Sequence, residues 1–193
     1  MKEKIIFIVI LCIAIFKVFG QDLPKVIMKC DLGNIVYEID TINAPVTAHN
    51  FLKHLEKGTF KDAVFYRVVR PDNQPNSPVK IEVIQGGLFS DEEIDKIPPI
   101  VHETTKATGI KHLNGTISMA RNEPGTASTE FFICVGNQPE LDFGGKRNPD
   151  GQGFAAFGKV VEGMDVVRKI QQQKDENQYL LNPVRILSIE IKK

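Results

Sequence analysis

The chain has 193 residues, with 24 basic and 24 acidic side chains, no formal net charge and 42% hydrophobic residues. That length supports one domain with a sizeable core that needs no disulfide to fold. No basic run lies beyond the N-terminus, so a nucleic-acid binder's electrostatic footprint is missing and no nucleic-acid partner is expected.

The first element is a leader. Met1-Lys2-Glu3-Lys4 precedes an unbroken apolar run from Ile5 to Phe16, and Lys17-Val18-Phe19-Gly20 leads into polar Gln21-Asp22. A positive start, a short apolar stretch and a small residue near the end have the form of a secretory signal peptide. The run falls short of the roughly 20 residues a spanning helix requires. Residues 1–20 are therefore expected to be a signal peptide, with cleavage after Gly20 and residues 21–193 forming one exported domain, periplasmic or secreted. No stable membrane insertion is expected after cleavage; an uncleaved anchor is the competing reading. Bulky Val9-Ile10-Leu11 ahead of Cys12 do not suit lipoprotein processing. Loss of Lys2, Lys4, Lys17 and Glu3 leaves a formal charge of −2.

Val26–Cys30 and Ile35–Ile39, β-branched runs around Asp31-Leu32-Gly33-Asn34, predict a hairpin. Asn43-Ala44-Pro45 predicts a helix start, capped by Asn43 or Ala44, since proline is tolerated in the first turn. Ala44, Ala48, Phe51, Leu52 and Leu55 then recur at helical spacing until Gly58. Strands are expected at Val64–Val69, Ile81–Ile84, Gly115–Met119, Glu130–Val135, Ala155–Val160 and Arg185–Ile191. A second helix is expected over Gly163–Ile170, with Met164, Val167 and Ile170 on one side. Pro71, Pro75 and Pro78 mark Arg70–Lys80 as a loop, and Asp142–Gly153 is a second, glycine-rich one. Many short strands with two helices argue for an antiparallel barrel or sandwich with helical caps. Cys30 and Cys134 lie in apolar strand patterns at a spacing that fits no zinc or redox motif. Buried free thiols are expected, with pairing in an exported protein as the alternative. His49, His54, His102 and His112 are scattered, and no metal site is expected. Ser118 with a histidine and an aspartate lacks the surroundings of a nucleophile elbow.

Five segments occur in order: Phe65-Tyr66-Arg67, Gln85 with Gly86-Gly87, Gly115–Arg121, Phe131-Phe132-Ile133-Cys134 and Phe154–Val160. One arginine among aromatics, a glutamine before a glycine pair and later aromatic strands describe a mostly apolar pocket with one fixed cation. Such a pocket suits a neutral ring whose dipole changes during reaction. Together, from about Val26 to Ile191, the segments resemble the cyclophilins, which are peptidyl-prolyl cis/trans isomerases. The resemblance implies a mainly β fold: a closed eight-stranded antiparallel barrel capped by two α-helices. It implies proline-containing polypeptides as substrates and no cofactor, and a monomer is the default expectation.

Rotation about an X–Pro bond crosses a barrier of about 18–20 kcal/mol set by amide resonance. In the twisted transition state the lone pair localises on the proline nitrogen. A cation donating there gains strength only as the bond twists, which is what catalysis requires. The resemblance gives Arg67 this catalytic role, and arginine suits it because it stays charged and its planar fork can be locked. Gln85 matches the residue that orients the arginine and binds substrate backbone. Phe132 matches the floor of the proline pocket and Leu141 a wall. Val83 and Phe154 are further pocket residues, Ala120 matches the position whose backbone pairs with an extended peptide, and Arg121 is expected to bind substrate beside it.

The chain departs from familiar members at several positions. Glu140 stands at a tryptophan position, Phe154 at a histidine, Arg121 at an asparagine and Glu130 at a glutamine. Val83 stands for methionine, Glu82 for phenylalanine and Tyr66 for histidine. Turnover is expected to be retained, though slowed, and Glu140 puts cyclosporin binding in doubt. The changes also motivate a rival reading: a proline-peptide binding or chaperone module that turns over weakly or not at all.

Overall fold

The computed structural model describes residues 22–192; the expected signal peptide, its cleavage point and Cys12 lie outside the described residues. Strands β1 (Lys25–Cys30) and β2 (Gly33–Ile39) form the first hairpin. Its turn is tighter than expected, because Gly33 already pairs with Cys30. A Cβ at Gly33 would meet a Val166 methyl at 2.8 Å, so glycine here lets the later helix lie against the hairpin.

Helix α1 (Pro45–Glu56) buries Thr47, Ala48, Phe51 and His54. Ala44 is the N-cap and has no side-chain cap to offer. The orphan N–H groups are met from elsewhere: Glu103 accepts from Val46 N at 3.2 Å, Thr47 N at 2.7 Å and Thr47 Oγ1 at 2.6 Å. A distant carboxylate thus does the work of a local cap.

Next come β3 (Val64–Val69), β4 (Val83–Gly87), two short helices α2 (Asp91–Asp95) and α3 (Thr105–Thr108), β5 (Thr116–Met119) and β6 (Phe131–Cys134). A 3₁₀ turn (Pro139–Leu141), β7 (Ala155–Glu162), α4 (Met164–Gln171), β8 (Asp175–Glu176) and β9 (Tyr179–Lys192) follow. The expected strand at Ile81–Ile84 starts two residues later for a clear reason. The Gln74 amide occupies Ile81, donating to its carbonyl at 2.6 Å and accepting from its N–H at 3.3 Å.

All pairs are antiparallel, in the order β1-β2-β7-β5-β6-β4-β3-β9, and β9 pairs back with β1 to close an eight-stranded barrel. Strand β8 is a short ribbon on the β9 edge. The two expected helices are α1 and α4; the short α2 and α3 were not legible in the pattern. Among the described residues no helix is long and apolar enough to cross a membrane.

Because side chains alternate across a strand, the sheet has two apolar faces. The interior holds Phe51, Phe60, Phe65, Phe131 and Phe157, with Phe131 set edge-on to Phe51, Phe60 and Phe65 at centroid distances of 5.8, 6.1 and 5.9 Å. A smaller cluster on the outer face comprises Val69, Ile81, Val83, Phe132, Cys134 and Leu141, with Ala120 and Phe154 against it. Cys30 and Cys134 are buried free thiols, and burial raises the pKa of both.

Candidate active site

The outer cluster is the floor of a cavity of about 550 Å³. Arg67, Val83, Gln85, Ala120, Arg121, Phe132, Leu141 and Phe154, the residues singled out in the sequence, all line it. One local irregularity makes this possible. Between Phe65 and Arg67 the register of β3 slips against both β4 and β9. Two residues of β3 thus face one of β4, the signature of a β-bulge, which re-aims side chains. As a result the consecutive residues Tyr66 and Arg67 both line the cavity, whereas a regular strand would send them to opposite faces.

Arg67 is held at both ends of its fork. Its Nη1 donates to Gln85 Oε1 at 2.8 Å; its Nη2 and Nε donate to Gln178 Oε1 at 2.6 and 3.1 Å. A guanidinium carries five N–H donors, so one N–H on each terminal nitrogen remains for a bound group. Burial lowers the Arg67 pKa, while Tyr179 and Tyr66 beside it act the other way.

Gln85 is itself fixed. Its Nε2 donates to Tyr66 Oη at 2.6 Å, and the Tyr66 hydroxyl donates to Glu130 Oε2 at 2.6 Å. Glu130 Oε1 accepts from Leu88 N at 2.6 Å and from Thr129 Oγ1 at 3.4 Å. A Cβ at Gly87 would lie 2.2 Å from Glu130 Oε1, so the second glycine of the pair makes room for this carboxylate. Burial raises the Glu130 pKa against the lowering effect of its donors. Burial first, and the Glu130 charge second, push the Tyr66 phenol far up.

The apolar wall is built around Phe132. Its ring lies edge-on to Phe154 at 5.2 Å and stacks on His112 at 5.8 Å. His112 Nδ1 faces Asp142 Oδ1 at 2.9 Å and Nε2 faces Ser118 Oγ at 3.0 Å. With Asp142 accepting from Nδ1–H, Nε2 must accept from the serine. The structure therefore does assemble Ser118, His112 and Asp142. However, Ser118 is fully buried and His112 1% exposed, and neither they nor Asp142 line the cavity. Their role is to support the Phe132 floor, and burial lowers the His112 pKa.

Arg121 lines the cavity, but its charge is spent elsewhere. Nη1 and Nη2 grip Asp150 at 2.8 and 2.9 Å, and Nε donates to Gly153 O at 2.8 Å. Its guanidinium also lies over the Phe154 ring at 5.2 Å. Its contribution is to hold the long loop and Phe154 in place. Ala120 N donates to Glu130 O at 2.8 Å, so its N–H is engaged within the protein.

Sequence reasoning missed Arg147, Phe89 and Tyr179 in the cavity lining and Gln178 behind Arg67, and it gave Glu140 a place in the pocket that the structure does not. Glu140 turns the loop, accepting from Lys146 N at 2.8 Å, and does not line the cavity. Arg147 does, anchored through Nη1 to Ser77 Oγ at 2.5 Å and Val79 O at 2.6 Å. Phe89, stacked on Tyr66 at 4.6 Å, and Tyr179 form an aromatic rim. Gln178 carried only one signal: it follows Asn177 as the second residue of a two-residue turn, where glycine is usual. Among the described residues no group of three or more His, Cys, Asp or Glu is placed to hold a metal.

The class defined by fold and site is an antiparallel barrel with an immobilised cation beside an aromatic-floored recess. Residues 25–191 match the family model of the cyclophilin type peptidyl-prolyl cis-trans isomerases. The chain is 37% identical to peptidyl-prolyl cis-trans isomerase A of Dickeya dadantii over 155 residues, covering 79% of this chain and 73% of that protein. It is 33% identical to a peptidyl-prolyl cis-trans isomerase of Acinetobacter baylyi over 171 residues, covering 86% and 84%. A crystal structure of a Cryptosporidium parvum cyclophilin type isomerase superposes with a TM-score of 0.70 at 20% identity, over 89% of this chain and 98% of that one. The chain belongs to the cyclophilin-type peptidyl-prolyl cis-trans isomerases.

Proposed function

We propose that this isomerase accelerates X–Pro rotation during the folding of exported polypeptides, working as a monomer in the periplasm or outside the cell. Support for the exported setting is the leader-like form of residues 1–20. Support for the chemistry is the doubly anchored Arg67 fork, which keeps one N–H on each terminal nitrogen available beside the Phe132 recess. The proline ring rests on Phe132, walled by Val83, Leu141 and Phe154. Gln85 still has one amide N–H to offer the substrate backbone. As the amide twists, Arg67 donates to the nitrogen that regains its lone pair. The interaction strengthens along the reaction and needs no covalent step.

The rival reading, a proline-peptide binding module with weak turnover, draws on Val83, Phe154 and Glu140. Line-shape or exchange NMR on a short Xaa-Pro peptide separates the two. The expected outcome is acceleration by residues 21–193 that falls about 10²–10³-fold in Arg67→Ala, the usual cost of one preorganised donor, with the fold intact by circular dichroism. Peptide binding without acceleration, equal in wild type and mutant, would establish the binding module instead.

A further inference from the structure

Three described residues other than glycine have a left-handed backbone: Phe89 at φ 66°, Asn177 at φ 51° and Gln178 at φ 75°. Asn177 and Gln178 form the two-residue turn between β8 and β9, with Glu176 paired to Tyr179 and Asp175 to Leu180. A turn with positive φ at both central residues favours Asn first and Gly second. Asn177 obeys this rule. Gln178 breaks it, and a long side chain in that conformation carries a conformational cost.

The turn's own backbone does not need this side chain. Gln178 N donates to Asp175 Oδ2 at 3.0 Å and Gln178 O accepts from Val68 N at 2.8 Å, and glycine would make both bonds. What glycine would lose is the carbonyl that accepts from Arg67 Nε and Nη2. The mount for that carbonyl is rigid. The Gln178 amide nitrogen donates to Asn73 O at 3.2 Å, Asn73 Nδ2 donates to Asp175 Oδ2 at 2.9 Å, and Arg70 pairs with Asp175. Gln85 alone would leave the fork free to swing about the Nη1 contact; a second acceptor at Nε and Nη2 fixes its plane.

We propose that Gln178 is a positioning residue for the isomerisation. Its strained turn position is maintained because its side-chain carbonyl sets the plane of the Arg67 guanidinium over the recess. The inference rests on the role assigned to Arg67 above. It extends that role by naming the group that makes the arginine preorganised rather than merely present, and preorganisation is where such donors gain their advantage.

The test compares wild type with Gln178→Gly, Gln178→Asn and Gln178→Glu. Glycine suits the left-handed backbone and removes the acceptor, so kcat is expected to fall about ten- to a hundred-fold with the fold intact by circular dichroism. KM should move less than about threefold, the pattern of an interaction made in the transition state. Asparagine tolerates the left-handed backbone but is one methylene short of Arg67, and is expected to lose activity like glycine. Glutamate keeps an acceptor at full reach for Arg67 but sets its second oxygen against the Asn73 carbonyl, so only part of kcat is expected to return. A direct readout is the Arg67 Nε–H resonance, sharp in wild type and broadened by exchange in Gln178→Gly. Wild-type kcat in Gln178→Gly alongside an inactive Arg67→Ala would overturn the positioning role while leaving Arg67 catalytic. Wild-type activity in Arg67→Ala would overturn both.

Discussion

Glu130 sets the direction of the hydrogen-bond chain that ends on Arg67. As a carboxylate it only accepts, so the single Tyr66 hydrogen must point to it. Tyr66 then accepts from Gln85 Nε2, which turns Gln85 Oε1 towards Arg67. Protonated Glu130 can donate to Tyr66, which then donates onward, and Gln85 would present its amide nitrogen to a cation. The groups facing Glu130 are Tyr66, Thr129 and the Leu88 and Phe89 amides, with Arg67 acting through Tyr66. Because burial raises the Glu130 pKa, activity should fall on the acid side at a pH above the usual glutamate range. Stability carries the opposite sign. Between the ordinary and raised values the folded state holds more protons than the unfolded one, so Glu130's contribution is fully present at low pH and lost as pH rises through the raised pKa. Glu130→Gln should flatten both profiles, with a loss of less than about tenfold at neutral pH. Profiles of kcat/KM and urea midpoint against pH check this, and an unchanged acid limb in Glu130→Gln would remove Glu130 from the relay. In the sequence Glu130 and Tyr66 were visible only as two separate departures from the family. That they compensate each other depends on a contact between residues 64 positions apart, which no local pattern carries.

Strand β6 shows how one element serves fold and function at once. Phe131 is fully buried in the barrel interior; Phe132, the next residue, faces the cavity. Phe131→Ala would leave a void among three other phenylalanines and should cost about 3–5 kcal/mol. Phe132→Ala extends a cavity already open to solvent, so its stability loss should be clearly smaller and its main effect a rise in KM for proline peptides. Chemical denaturation and peptide kinetics on the two variants check the split; equal stability losses would refute it. Strands with β-branched or aromatic runs were legible because their patterns are local. The start of β4 was not, since the Gln74 amide occupies the Ile81 backbone; the start of α1 at Ala44-Pro45 was legible, but the Glu103 carboxylate that serves as its cap was not. The β3 bulge, which brings Tyr66 and Arg67 to one side, leaves no mark in Phe-Tyr-Arg-Val-Val. The helices α2 and α3 are too short for a helical period to register.

Across the molecule, β9 links barrel closure to the site. Its C-terminal part pairs with β1 from Ile186↔Cys30 to Lys192↔Lys25, its middle pairs with β3, and its first residue follows Gln178 directly. Closure itself was legible only through the family resemblance, because antiparallel strands alone fit a sandwich as well as a barrel. A strand shared in this way means the barrel cannot open without moving the mount that holds Arg67. Ile186 is 3% exposed, pairs with Cys30 and donates its N–H to Ala63 O at 2.9 Å, ahead of β3. Ile186→Ala should cost about 2–5 kcal/mol, although it lies on the strand's far half from the cavity. Below the transition its kcat should match wild type, since no cavity contact is touched. On heating, loss of β-sheet signal and loss of proline-peptide binding should shift together in this variant, because one closed sheet carries both. Binding lost at a lower temperature than the sheet signal would show that the β8–β9 turn opens on its own, and that the arginine mount is a separable unit rather than part of the barrel's cooperative fold.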